Sequence, residues 1–494
     1  MMDDVPRRSR GLLRHCLRSF ARLVCATSEW HGRPMKRYLL ILLLACCTAS
    51  AADFQAGVAK VKITPPQPFW MTGYSSRTNQ SVGVVHELWA KALALRDPQG
   101  HRAVIVTTDL IGLHHSVSDE IFARAKKQFK LNRADVLLTC SHNHSGPVIG
   151  LNLRVMFDFT AKDEQQVQAY TADLVDKLVN VIGDSLKNLS PAQLAVGHGS
   201  AGFTVNRRKV KPTGVTMEPN ADGPVDHDVP VLKVTAPDGR LRAIMFGYAC
   251  HNTTISPRPD PERDFYKIYG DYAGFAQLAV EKGHPGAEAM FTILCGADQN
   301  PNPRGAIEYA RQHGESLAAA VDRVLGAEMR PVRPPIRTAF QSVPLDFAKH
   351  TRQTFEEEIK RAEVAKKSDS KYRKRRAELM LAAYDKGRPV CQVPLPVQAI
   401  RLGNDLTMVA LGGEVVVDYQ LRCKREFPNE NLMAIGYAND VMCYIPSKRV
   451  LLEGGYESDF SMIYYGQPGP FAENVEEKVF KTIHQVMDKV GAGK

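Results

Sequence analysis

This chain lacks the features that would sort it quickly. No internal repeat or low-complexity tract is present, which excludes a solenoid and a largely disordered architecture. No C-x-x-C pair occurs, so neither a thiol redox motif nor a cysteine-rich zinc module is written into it. The apolar run at residues 38–45 falls well short of the roughly 20 residues a membrane-spanning helix needs. Excess charge is also concentrated where it matters least. The first 51 residues carry nine Lys/Arg against three Asp/Glu and so hold six of the eleven net positive charges. The remaining +5 is no nucleic-acid footprint.

What is there begins with a targeting signal. Met35-Lys36-Arg37, the apolar core at 38–45 and Ala49-Ser50-Ala51 give the basic start, short hydrophobic centre and small-residue cleavage site of a secretory signal. Residues 1–51 are therefore expected to be an upstream extension plus signal peptide, and 52–494 one catalytic domain, secreted or periplasmic. Six cysteines remain after residue 51, several inside strand-like runs where a small buried thiol is the ordinary reading.

Strand-like segments recur at residues 58–63, 89–95, 103–108, 136–140, 229–234, 243–249, 291–295, 397–402, 408–411 and 432–435. Helix-like patterns occupy 118–129, 164–179, 305–325 and 475–490. The mixture predicts an α/β fold, a large mixed sheet with flanking helices. Residues 354–386, rich in Glu, Lys, Arg and Ala, predict one or two surface helices. Their basic cluster at 371–376 is either a solvated face or a contact for an anionic surface, which leaves peripheral membrane contact open.

The chemistry concentrates at strand ends. Ser141-His142-Asn143-His144-Ser145-Gly146-Pro147 directly follows the run at 136–140. If strand geometry continues, imidazoles at i and i+2 leave the backbone on one side and can hold a metal ion. Alone the pair is weak, because fifteen histidines would give about 0.5 His-x-His pairs by chance. Three further strand-to-loop junctions also end in polar groups: Tyr248-Ala249-Cys250-His251-Asn252, Leu411-Gly412-Gly413-Glu414, and Gly436-Tyr437-Ala438-Asn439 leading to Tyr444.

In order along the chain, these pieces join Gly57-Val58-Ala59, Ile63-Thr64-Pro65, Met71-Thr72-Gly73-Tyr74, Trp89-Ala90-Lys91-Ala92, Thr108-Asp109-Leu110, Val205-Asn206-Arg207, Asp298 with Pro301-Asn302, and Tyr456-Glu457. So aligned, residues 55–490 resemble the catalytic domain of the neutral, non-lysosomal ceramidases, zinc-dependent amidases that cleave N-acyl-sphingosine. The best-known members continue into a further C-terminal β-sandwich, whereas this chain stops after the helix at 475–490. His86 stands one position away from the histidine of relatives and receives no role.

The resemblance implies zinc held by His142, His251, Glu414 and Tyr444. It further implies that His144 hydrogen-bonds substrate or shuttles a proton, with Arg207 and Tyr456 facing the reacting amide. Imidazole and carboxylate are ordinary zinc donors, and an open position lets the ion activate water and polarise a carbonyl. A phenol is less usual; without the resemblance Tyr444 reads as core or rim. Arg207 has a competing reading as a surface charge beside Arg208 and Lys209. Asp109 and Asp298 either orient a histidine or stabilise turns.

The expected function is an exported zinc amidase acting on a lipid or other small N-acyl substrate, with no nucleic-acid partner. A metallohydrolase of non-sphingolipid amides or esters, and a binding member without turnover, are the alternatives. No strongly amphipathic membrane helix follows the signal, so shorter, more soluble amides are expected to be turned over at least as well as long-chain ceramide.

Overall fold

The computed structural model describes residues 54–255, 264–365 and 367–493; the signal at 35–51 and the upstream extension lie outside the described residues. Apolar runs form a nine-stranded mixed sheet in the order Glu288–Ile293, Leu241–Tyr248, Asp228–Thr235, Ser190–Ser200, Phe54–Lys62, Trp89–Arg96, Arg102–Thr108, Val136–Cys140, with Arg330–Val332 alongside Ser190–Ser200. The pairs at the two ends are parallel, and those between are antiparallel. The sheet curls until its ends meet: the Thr139 and Thr292 hydroxyls hydrogen-bond between strands that share no ladder.

A second sheet, Ile336–Asp346, Gln392–Leu402, Leu406–Leu411 and Leu432–Ile435, packs into the concave face. Leu93, Ile105, Met245 and Met290 of the first sheet meet Ile400, Met408 and Met433 of the second in one buried cluster. Alternate residues face outward, as strand periodicity requires. Val104 and Val106 meet helices His115–Phe129 and Ala161–Lys187. Ile244 and Phe246 meet Asp271–Gly283 and Ile307–Gly326, and the second sheet's outer face carries Val475–Lys489. The expected mixed-sheet α/β architecture is thus observed. Among the described residues no helix is long and apolar enough to cross a membrane.

Two expectations about the surface are refined. Residues 354–386 form two helices, Arg352–Ala365 and Ser370–Asp385. The basic cluster on the second is not a free patch. Lys371 and Arg375 pair with Asp158, Arg373 with Asp369 at 2.6 Å, Lys374 with Glu363 at 2.8 Å, and buried Arg376 with Glu358. The six cysteines of the described region are free, and all but Cys391 are buried, as small apolar side chains.

Candidate metal centre

Curling of the sheet brings the loops after Val136–Cys140 and Leu241–Tyr248 together, joined by a bridge between Asn143 and Asn252. The first loop does not continue the strand as supposed. The strand ends at Cys140, and His142 takes a left-handed backbone with φ 56°. This conformation is costly outside glycine and is typical of functional sites. The His142 and His144 rings therefore converge through a turn, their planes 77° apart.

Each histidine is aimed by a backbone carbonyl. Nδ1 of His142 lies 2.6 Å from the Ile111 carbonyl, that of His144 2.9 Å from Gly73, and that of His251 3.2 Å from Gly296. A carbonyl can only accept, so Nδ1 carries a proton, which leaves Nε2 as the nitrogen free to bind a metal ion. The close Gly73 contact needs glycine: a Cβ there would lie 2.6 Å from the His144 ring, and φ is +93°. The three Nε2 atoms then gather. His144 Nε2 is 3.0 Å from His142 Nε2, and the ring nitrogens of His142, His144 and His251 lie within 4.8 Å of one another.

Glu414 enters the same space. Its Oε2 is 3.1 Å from His142 Nε2 and 3.2 Å from His251 Nε2, while the Tyr444 hydroxyl is 3.2 Å from His251 Nε2. Glu414 and Tyr444 arrive together because Glu414–Val415 and Tyr444–Ile445 form a two-residue parallel ladder. Gly413 permits this approach, since at φ +73° a Cβ would meet the Cys443 carbonyl at 2.8 Å.

Electrostatics point to a cation. Burial pushes His251 down to about 3, with the Arg207 charge adding to it; burial, then His142 and His251, hold His144 well below the usual imidazole range. Burial by itself raises the Glu414 carboxyl; it is held well below the ordinary range only when positive charge sits on the His142 and His251 side of it. Burial and the Glu414 charge push the Tyr444 phenol up, against Arg207. Facing lone pairs around a buried carboxylate repel unless a positive ion lies among them. Bonds of about 2.1 Å at a tetrahedral angle separate donors by about 3.4 Å. Three donor pairs, His142 with Glu414, His251 with Glu414 and His251 with Tyr444, stand at 3.1–3.2 Å, close to that spacing. Imidazole nitrogens beside a carboxylate suit a transition metal rather than magnesium or calcium.

Arg207 is buried, which removes its reading as a surface charge. Its Nε donates to Glu457 Oε1 at 2.8 Å, Nη1 to Asn300 at 3.2 Å and Nη2 to the Tyr444 hydroxyl at 3.0 Å. Arg208 shares Glu457 at 2.5 Å. Tyr456 opens a π-helical turn, Tyr456–Phe460, after Gly454-Gly455. Its ring centre is 5.5 Å from that of Tyr444, and its hydroxyl has no hydrogen-bond partner among the described residues.

Neither aspartate orients a histidine. Asp109 accepts from Trp89 N–H and Gln277, each at 2.8 Å. Asp298 accepts from Val417 N–H at 2.8 Å, at the start of helix Val417–Glu426, and from Asn206 at 3.0 Å. Carbonyls do the orienting, so no polar side chain marks it in the sequence. His86 accepts from Gly270 N–H at 3.3 Å. The Tyr465 hydroxyl also donates to Glu414 Oε1. Tyr464-Tyr465 ends a short helix with no motif to distinguish it.

A curled α/β sheet thus brings a buried cluster of histidines, carboxylate and phenol to its strand ends, a donor set able to hold a metal ion. The neutral/alkaline non-lysosomal ceramidase N-terminal model matches residues 54–320, and the chain belongs to that family. It is 27% identical over 230 residues to the neutral ceramidase of Pseudomonas aeruginosa, covering 44% of this chain and 33% of that protein. Neutral ceramidase A of Dictyostelium discoideum is 25% identical over 270 residues, covering 51% and 37%. The matched stretches thus cover about a third of these relatives' own length. The solved Pseudomonas aeruginosa neutral ceramidase superposes with a TM-score of 0.67 at 18% identity, over 89% of this chain and 75% of that one. The fold is shared.

Proposed function

We propose that this chain is an exported zinc-dependent amidohydrolase that cleaves the amide of N-acyl lipids of the ceramide class. The observation that carries this reading is the convergence of three carbonyl-anchored imidazoles on a buried carboxylate and phenol. Membership of a family whose relatives are named neutral ceramidases supplies the substrate class. Zinc held by His142, His251, Glu414 and Tyr444 would polarise the scissile carbonyl and bring the pKa of a water near 7.

The chain's own groups do the rest. The carbonyls of Ile111 and Gly296 keep Nε2 of His142 and His251 unprotonated and directed inward. Arg207 donates to the Tyr444 oxygen and so favours its anionic form, leaving further N–H groups for a developing oxyanion. The unpartnered Tyr456 phenol is the second oxyanion donor. His144, neutral and with Nδ1–H held by Gly73, accepts a proton at Nε2 and returns it to the leaving amine. Burial, with His142 and His251 beside it, depresses its pKa and makes that return favourable.

The test is hydrolysis of an acyl-length series of ceramides and simpler N-acyl amides by zinc-loaded protein lacking residues 1–51. Turnover lost on chelation and restored by zinc is expected. Absence of turnover on every amide, in folded protein with stoichiometric zinc, would overturn the reading.

A further inference from the structure

A cavity separate from the histidine cluster is lined in part by Tyr465, the residue that bonds Glu414. It has a volume of about 600 Å³ and opens between helix His115–Phe129, the second sheet and the segment leading to Tyr444. That volume suits a small-molecule site. Much of its wall is apolar, including Leu151, Phe340, Val393 and Met442, and the Tyr465 ring that bonds Glu414 closes one side.

One charged group stands out. The Arg133 guanidinium is clamped between two phenyl rings, 3.5 Å from the Phe122 ring centre and 3.9 Å from that of Phe340. Its hydrogen bonds run from Nη1 alone, to Val136 O at 3.3 Å and Gln398 at 3.5 Å. Among the described residues no carboxylate reaches it within salt-bridge distance; Asp119, the acid that acts on it, is exposed. Burial without a partner anion lowers Arg133 to about 9. A half-buried guanidinium lacking a counter-ion is unusual. With both faces stacked, only its in-plane edge, Nε and Nη2, is left for a ligand. That edge matches a planar carboxylate.

We propose that this cavity binds a single-chain fatty carboxylate, its head group on the Arg133 edge and its chain along the apolar wall. Asp440 also lines the cavity, with one oxygen accepting His115 N–H at 2.9 Å, so a long-chain amine is the competing occupant.

Calorimetric titration of the purified protein with laurate and with dodecylamine, both below their micelle concentrations, decides between them. Laurate is expected to bind, on the order of 10-fold more weakly to Arg133→Met. Leu151→Trp, at a 59% exposed position on the rim, blocks the cavity without burdening the core and is expected to weaken laurate similarly. Laurate affinity unchanged in Leu151→Trp would put the binding elsewhere and overturn the proposal, even if Arg133→Met does not fold. Preference for dodecylamine, lost in Asp440→Asn, would overturn it too.

Discussion

Glu414 and Tyr444 stand opposite each other in the register of a two-residue parallel ladder, so the backbone that delivers one donor to the centre delivers the other. Their side chains then meet the same His251 Nε2 at 3.2 Å each. A displacement of either strand moves both donors.

The cluster is expected to hold about one zinc per chain. His142→Ala and Glu414→Ala should each abolish stoichiometric metal, whereas Tyr456→Phe should keep it and lose about 10²–10³ in kcat. Elemental analysis beside steady-state kinetics separates the cases; wild-type turnover in Tyr456→Phe would remove that residue from the reaction.

Tyr465→Phe deletes the hydroxyl that donates to Glu414 Oε1 while leaving the ring. Metal affinity should fall about 10- to 100-fold, the usual effect of losing a group that orients a ligand. Competition with a chromogenic chelator measures it, and an unchanged zinc affinity would mean that the hydrogen bond does not position the carboxylate.

Glu457 is the buried counter-charge of both Arg207 and Arg208. Glu457→Ala should therefore destabilise the fold by about 3–5 kcal/mol, the cost of stranding buried charge. Denaturant unfolding of apo variants reads this directly; a loss below about 1 kcal/mol would show that water or rearrangement relieves the guanidinium groups.

Burial raises the Asp440 carboxyl from 3.8 to about 7. The folded state holds that proton more tightly, so this group's contribution is greatest below about pH 4 and is lost as pH rises towards 7. Asp440→Asn can still accept His115 N–H and lacks that titration. Relative to wild type, the variant should gain stability between about pH 4 and 7 and level off above. A gap that stays constant with pH would contradict the assignment.

Some elements were legible because local physics alone specifies them. The runs at 136–140 and 432–435 are buried along their whole length, and the observed strands have the expected bounds. Other elements were illegible for physical reasons. Thr204–Lys211 buries Asn206, Arg207 and Arg208, so no hydrophobic alternation announces a strand. Helix Asp271–Gly283 is buried nearly all round its first two turns and lacks a polar stripe.

The order of chemical residues along the chain was enough to mark the family by resemblance, and its apolar runs and helical patterns were enough for the mixed α/β class. Tertiary structure alone decided that the two ends of one sheet meet, so that loops more than a hundred residues apart share a centre. It also decided that carbonyls of Gly73, Ile111 and Gly296, Tyr465 on Glu414, and Glu457 on Arg207 complete that centre. Backbone oxygens occur at every residue, and which of them faces an imidazole depends on long-range packing that no local pattern records.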